Sequence, residues 1–423
     1  MAWNYLDFDL SVLREDGRFT TRVLSSPAGE ASAPFVLPFG PAELAQFMVV
    51  VGPPRASTRR LVPASSRVLD VKDYGTRLGQ ALLSGEVDDA FRRSLSAAAE
   101  QGKNLRIRLH VDAELDPVPW EYLYDERLDR FLSLSQETPV VRLLEALERP
   151  PVLEIEPPLR VLVMISSPSD VPELAVQQEE QLLRATTGDL VKSGQLELVV
   201  LEDATLSSLQ RALIEEFHVF HFIGHGGFDS HEQEGVLVLE REDGTAHRVS
   251  ASRLGTLLHD ARSMQLAVLN ACEGARSSGR DAFSGVAQEL VRRGLPAVVA
   301  MQAEISDRAA LVFTHEFYWF LTRGLPIDAA MCEVRKAMAT SDEASEWGTA
   351  VLLRSDVDQS FRIRPAGGPA PKREQRWESL YEGAQGALAA GESAAAVTML
   401  EQIESERPDY QDVTELLQRV RPE

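Results

Sequence analysis

Cysteine is nearly missing from this chain: only Cys272 and Cys332 occur in 423 residues, with no CxxC and no Cys/His cluster at zinc-like spacing. That excludes a disulfide framework and leaves no metal site to expect. Positive charge is also scarce. Lys and Arg total 43 against 65 Asp and Glu, a formal net charge of −22, which argues against a phosphate-tracking surface and hence against nucleic acid as a partner. No apolar run approaches the roughly 18 residues needed to span a bilayer. Met1 to Leu13 interleaves Trp3, Asp7 and Asp9 where a signal peptide would carry a basic and then an apolar stretch. The expected setting is a reducing cytoplasm, where a reactive thiol stays available.

What is present is ordinary globular material, 44% hydrophobic and 26% charged, so the chain can build a sizeable core. Its length points to two or three units. Leu6 to Ser25 alternates about Asp16-Gly17 and predicts a hairpin. A helical pattern runs from Tyr74 to about Ala99, a strand from Leu105 to Val111, and a helix leading into a strand between Pro117 and Glu145. Pro150-Pro151 and Pro157-Pro158 mark a boundary.

Short apolar runs then recur at Leu159–Ile165, Leu196–Leu201, Val219–Ile223, Leu266–Leu269 and Leu295–Met301. Helical patterns lie between most of them, at Leu206–Phe217, Ser252–Ala261 and Phe283–Arg293. This alternation predicts an α/β fold with a mostly parallel sheet. A hairpin, Gly235 to Val249 with Asp243-Gly244 as its turn, interrupts it, and helices at Asp307–Thr322 and Pro326–Ala339 follow. RPAGGPAPK, from Arg364 to Lys372, reads as a linker. Beyond it Trp377 to Arg419 reads as short helices broken at Gly391 and Pro408, resembling a tetratricopeptide-type helical hairpin that must dock on something. The expected organisation is an α+β region over 1–150, an α/β core over 151–363, a linker over 364–373 and a helical tail over 374–423.

Two strand ends carry the chemistry. HVFHFIGHGGFD, residues 218 to 229, places His225 among glycines after an apolar strand, and LAVLNACEGA, residues 266 to 275, places Cys272 after another. The carboxyl edge of an open α/β sheet is where ligands bind. A cysteine peptidase needs a thiolate nucleophile, a histidine that takes and returns the proton, and backbone donors for the oxyanion. Cys272 is therefore assigned as nucleophile, His225 as general base and then acid, and the amides of Gly226 and Cys272 as oxyanion donors. A separation of about 50 residues suits a caspase-type dyad.

FHFIGHGGFD with VLNACEG is similar to the CHAT domain, a caspase-like peptidase family related to separase and caspases. PVPWEYLYD, FLSLS and VVR resemble the segment before that family's core, LPAVVAMQ its next core strand, and WGTAVLL its closing segment, so the likeness runs from about residue 104 to 355. It implies a caspase-hemoglobinase-like fold, metal-free peptide hydrolysis with no cofactor, and roles in regulated proteolysis, bacterial defence or cell death. The dyad carries over onto His225 and Cys272, and the oxyanion glycine onto Gly226. Asn270 stands two before the nucleophile, where enzymes preferring a basic P1 residue often carry acid. Asp170 and Asp203, after the first two core strands, could supply that charge, although loop and capping roles suit both.

Other residues are set aside. His218 falls on the opposite strand face from His221 and His225, so a three-histidine metal site does not form. Cys332 lies in a helical pattern and reads as core. Phe313, Phe317, Tyr318 and Phe320 read as packing. HGG lacks the lysine and Ser/Thr of a phosphate loop. The sequence thus predicts an endopeptidase acting on a protein substrate, with a regulatory protein partner held by the C-terminal helices; the rivals are a silent scaffold and another thiol hydrolase or acyl-transfer activity.

Overall fold

The structure is a computed structural model and describes residues 4–52, 69–145, 153–172, 176–229, 234–271, 282–303, 305–341, 345–355, 361–364 and 373–420. The expected first hairpin is β1 (Tyr5–Glu15) and β2 (Arg18–Ser25). Asp16 and Gly17 hold φ of 48° and 79°, the left-handed conformations a two-residue turn of this twist requires. β3 (Ala31–Phe35) and α1 (Pro41–Val51) follow. The helix expected from Tyr74 is two helices, α2 (Val71–Leu82) and α3 (Glu86–Glu100), because Gly85 takes φ 54° between them. β4 (Asn104–Val111) is the expected strand.

The helix expected after Pro117 is absent. Every residue from Trp120 to Tyr124 is buried, which a helix with one core-facing stripe cannot achieve, and Pro117 and Pro119 lack backbone donors. The segment forms single 3-10 turns and a ribbon of β5 (Tyr124–Asp125) with β6 (Arg130–Phe131), then β7 (Val140–Leu144).

The second half contains β8 (Leu153–Ile155), β9 (Leu159–Ile165), α4 (Val176–Thr186), α5 (Gly188–Lys192), β10 (Leu196–Val200) and α6 (Leu206–Ala212), the last shorter than its pattern. β11 (Val219–Asp229), β12 (Glu234–Glu240), β13 (Ala246–Ser250), α7 (Ala251–His259), β14 (Leu266–Ala271) and α8 (Ala282–Arg292) follow. β15 (Ala297–Met301), α9 (Asp307–Thr322), α10 (Ile327–Ala339), β16 (Ala350–Ser355) and β17 (Phe361–Ile363) complete the sheet region. The tail is α11 (Arg373–Ala390), α12 (Ser393–Glu406) and α13 (Val413–Val420).

Among the described residues, one 13-stranded sheet runs β10-β9-β11-β14-β15-β16-β7-β4-β1-β2-β3, with β12 attached to β11 and β13 to β12. It is mostly parallel from β10 to β15, β16 is antiparallel to β15, and β7, β4 and β1 continue parallel to β16. The fold is thus α/β with a mixed, mostly parallel sheet flanked by helices. Strand alternation divides the core: Val161, Ile223 and Val268 pack under α9 and α10, whereas Leu162, Phe222 and Leu269 pack with α7 and α8 on the other face.

Charged groups join the two halves. Asp328 on α10 accepts from Arg354 Nη1 of β16 at 2.6 Å and from Arg106 Nη1 of β4 at 2.9 Å, while Arg106 Nε donates to Asp7 of β1 at 2.7 Å. Arg142 on β7 grips buried Glu121 through Nε at 3.0 Å and Nη2 at 2.6 Å. The PWEY and WGT segments meet: the Tyr122 hydroxyl donates to the Ser345 carbonyl at 2.7 Å, and the Tyr122 and Trp347 ring centroids are 4.5 Å apart. A Cβ at Gly348 would come within 2.5 Å of the Tyr122 ring, so glycine is required there by contact.

The tail docks on its own chain. α11 packs over α4 so closely that a Cβ at Gly383 would lie 2.4 Å from the Ala185 Cβ. Leu182 and Leu311 share a buried cluster with Leu380, Ala384 and Met399, and Arg376 bonds Glu316 of α9 at 3.3 Å. Gly391 breaks α11 from α12 as expected, at φ 82°. The break expected at Pro408 separates α12 from the third short helix, α13. The linker reading over 364–373 falls almost wholly outside the described residues. Among the described residues no helix is long and apolar enough to cross a membrane.

Candidate active site

β11 changes neighbours where the sequence places the chemistry. Its buried residues Val219 to Ile223 pair with β9, and Val219 to Gly224 pair with β14, ending at Gly224 opposite Ala271. From His225 onward it pairs with β12, His225 lying opposite Val238 and Gly226 opposite Leu237. The apolar run predicts a strand over Val219–Ile223, but the structure keeps a strand to Asp229, because the inserted hairpin supplies a partner just where the parallel neighbours stop. His225 therefore stands at the carboxyl edge of the parallel sheet.

The imidazole is held firmly. His225 is 5% exposed, and its Nε2 lies 2.7 Å from the Pro172 carbonyl oxygen. A carbonyl only accepts, so Nε2 carries a proton and the neutral ring keeps its lone pair on Nδ1. The loop carrying Pro172 is itself anchored to the hairpin. Ser166 Oγ donates to the Val238 carbonyl at 2.8 Å, the Ser167 amide to Glu240 Oε1 at 2.8 Å, and the Ser169 amide to the Gly244 carbonyl at 2.9 Å. Asp170 Oδ1 accepts the Ala246 amide at 2.6 Å, so this carboxylate serves as a loop tie.

Gly224, just before His225, answers to space: a Cβ there would sit 2.7 Å from the Phe222 ring, whereas one at Gly227 would come closest to the movable end of Arg248. Asn270 is 7% exposed and lies opposite Ile223 in β14, on the sheet face that alternation also gives His225. Asp203 is exposed in the turn between β10 and α6, two strands from β11 in the sheet order. The structure thus brings His225, Gly226 and Asn270 to one edge, ties Asp170 nearby and leaves Asp203 apart. Cys272 lies outside the described residues; in the chain it follows Ala271, as His225 follows Gly224. Sequence reading missed Pro172, and no signal could have found it, since any residue supplies a backbone carbonyl.

The other candidates are committed elsewhere. His218 Nδ1 accepts the Arg160 amide at 3.0 Å, and burial lowers its pKa. Cys332 is fully buried on α10, where burial pushes its thiol up to about 12, far from a usable thiolate. His221 Nδ1 lies 2.8 Å from the Tyr318 hydroxyl, and burial lowers its pKa to about 4. An unfolded histidine titrates near 6.5, so stability from the neutral buried ring is complete above that pH and drains as pH falls toward about 4. The loss should reach about 3 kcal/mol. Urea unfolding between pH 7 and 4 is expected to show it in the native chain, and a His221→Gln variant should lack that portion of the slope.

Similar solved structures include the separase–securin complex of Saccharomyces cerevisiae, 12% identical with a TM-score of 0.35 over 62% of this chain and 15% of that one. The Arg-specific cysteine proteinase gingipain R is 13% identical with a TM-score of 0.40 over 67% of this chain and 70% of that one. A complex of the Porphyromonas gingivalis gingipain pro- and mature domains is 12% identical with a TM-score of 0.37, covering 63% of this chain and 69% of that one. No curated protein matches. The family profile for the CHAT domain matches residues 72–400, which is most of the sequence and takes in the sheet from β4 to β16 and the tail into α12. The chain belongs to the CHAT domain family.

Proposed function

We propose that this chain is a cysteine endopeptidase acting through a Cys272–His225 dyad. The observation that carries the proposal is the bond from His225 Nε2 to the Pro172 carbonyl at 2.7 Å. It leaves Nδ1 as the basic atom and stops the ring from turning. Nδ1 takes the Cys272 proton, the thiolate adds to the scissile carbonyl, and the amides of Gly226 and Cys272 receive the oxyanion. Collapse expels the amine, which leaves with the proton from Nδ1, and water then releases the acyl group by the reverse relay. The register of β11 with β14 supports the pairing, since its last described rung is one residue short of both groups.

Substrate contacts fall to Asn270 beside the dyad and, more remotely, to Asp170 and Asp203. In this reading 151–363 is the peptidase core, 1–150 extends its sheet, and the helices of 374–423 receive a regulatory partner. A diverse peptide library, incubated with candidate activators, tests the proposal: cleavage should occur with the native protein and vanish in both Cys272→Ala and His225→Ala. Absence of dyad-dependent cleavage under every activating condition would leave a scaffold.

A further inference from the structure

The loop that holds His225 has a second face. On one side it is fastened to the β12–β13 hairpin; on the other it borders a cavity of about 790 Å³ that lies between this loop, the first turn of α4 and the turn joining α11 to α12. That volume is in the range of small-ligand sites, roughly 300–1,000 Å³. Its polar lining comes from Ser167, Ser169, Gln177, Gln178, Glu392 and Ser393. No Lys or Arg is among the described residues that line it.

Glu392 gives the cavity its charge. It is the N-cap residue of α12 but its side chain makes no capping bond. Among the described residues that line the cavity it is the single charged side chain. A cationic donor entering the cavity would meet this carboxylate as its one ionic partner. The net charge of −22 favours such a visitor at long range. The planar fork of a guanidinium can bond a carboxylate and neighbouring amide oxygens together, as Glu392, Gln177 and Gln178 would offer.

We propose that this cavity binds an arginine-bearing peptide segment and that occupancy acts on His225 through the loop of Ser167 to Pro172. The second half rests on the peptidase reading; the binding half stands alone. The physical route is short. Val171 lines the cavity, and the next residue, Pro172, holds the imidazole. A ligand spanning the loop and the tail turn would fix the spacing between them and so the position of that carbonyl.

The test uses the full-length Cys272→Ala protein in 0.15 M salt, so it does not depend on turnover. Titration calorimetry with acetyl-Ala-Arg-Ala-amide should show binding at one site, and acetyl-Ala-Glu-Ala-amide should show none. Glu392→Gln should weaken binding at least tenfold and Ala394→Trp, at the cavity lip, should abolish it. Glu415→Gln, which removes the same charge from an exposed site on α13, should bind unchanged. Equal affinity in Glu392→Gln and Glu415→Gln, or binding retained in Ala394→Trp, would overturn the site. On binding, the His225 ring nitrogen resonances should shift in Cys272→Ala protein; unshifted resonances at saturation would overturn the link to His225.

Discussion

Alanine at Cys272 is expected to lower kcat/KM for peptide hydrolysis by at least about 10³-fold, alanine at His225 by a comparable factor, and both together by no more than the deeper single change. The non-additivity is the informative part. A thiol without its base and a base without its thiol each forfeit the same proton relay, so the second removal has nothing left to take. The cause is local at His225, where a ring fixed through Nε2 has only Nδ1 to offer. Far-ultraviolet circular dichroism and a thermal melt on each variant separate lost chemistry from lost fold. Additive losses would mean that the two residues act independently.

Asp328→Ala is expected to cost about 3–5 kcal/mol of folding stability, read by urea denaturation. The residue is 2% exposed and faces two guanidinium groups. Asp7 still neutralises Arg106, but Arg354 is 4% exposed and would lose the carboxylate that receives its Nη1. The effect should depend on pH. Burial opposes ionisation at Asp328 and Asp7, yet the adjacent arginines outweigh it and hold both carboxyls below the ordinary range. Their stabilisation is therefore complete above the unfolded carboxyl value of about 4 and is lost as pH falls through the lower folded values. Asp328→Ala should flatten that acid limb. A variant as stable as the native chain at pH 7 would show that Arg354 does not depend on Asp328.

Much of this architecture is visible in the residues themselves. The Asp16-Gly17 and Asp243-Gly244 turns and the apolar runs that become β9, β10, β11, β14 and β15 follow from local pattern, because a turn's left-handed residues and a buried strand's composition are properties of a few neighbouring positions. Partner choice is not local. That β1 lies beside β4 depends on residues about a hundred positions apart, in pairs such as Tyr5 with Asn104, and no period in either strand announces it. The same limit explains why β11 passes its expected end: the strand persists through His225 because β12, from an insertion, arrives alongside. The segment from Trp120 to Tyr124 reads as a helix by composition and is none, since burial on every side replaces amphipathic burial on one.

The site divides in the same way. Side chains with distinctive chemistry, His225 and Cys272, can be picked out from their strand-end positions, and Asn270 from its place two residues before the cysteine. Pro172 acts through its backbone, so its part is set wholly by the loop fastened to Glu240, Gly244 and Ala246. Asp170, a candidate for recognising substrate charge, also ties that loop to the hairpin through one of its oxygens.

The most direct test is the pH dependence of alkylation at each cysteine, followed by mass spectrometry in the native protein and in His225→Ala. A paired thiol should react first and with a midpoint below the free-thiol value of about 8.5. The account therefore expects iodoacetamide to label Cys272 while Cys332, buried with its thiol pushed up to about 12, stays intact, and expects the Cys272 midpoint to rise once the imidazole is removed. Labelling of Cys332 first, or a Cys272 profile indifferent to His225, would contradict it.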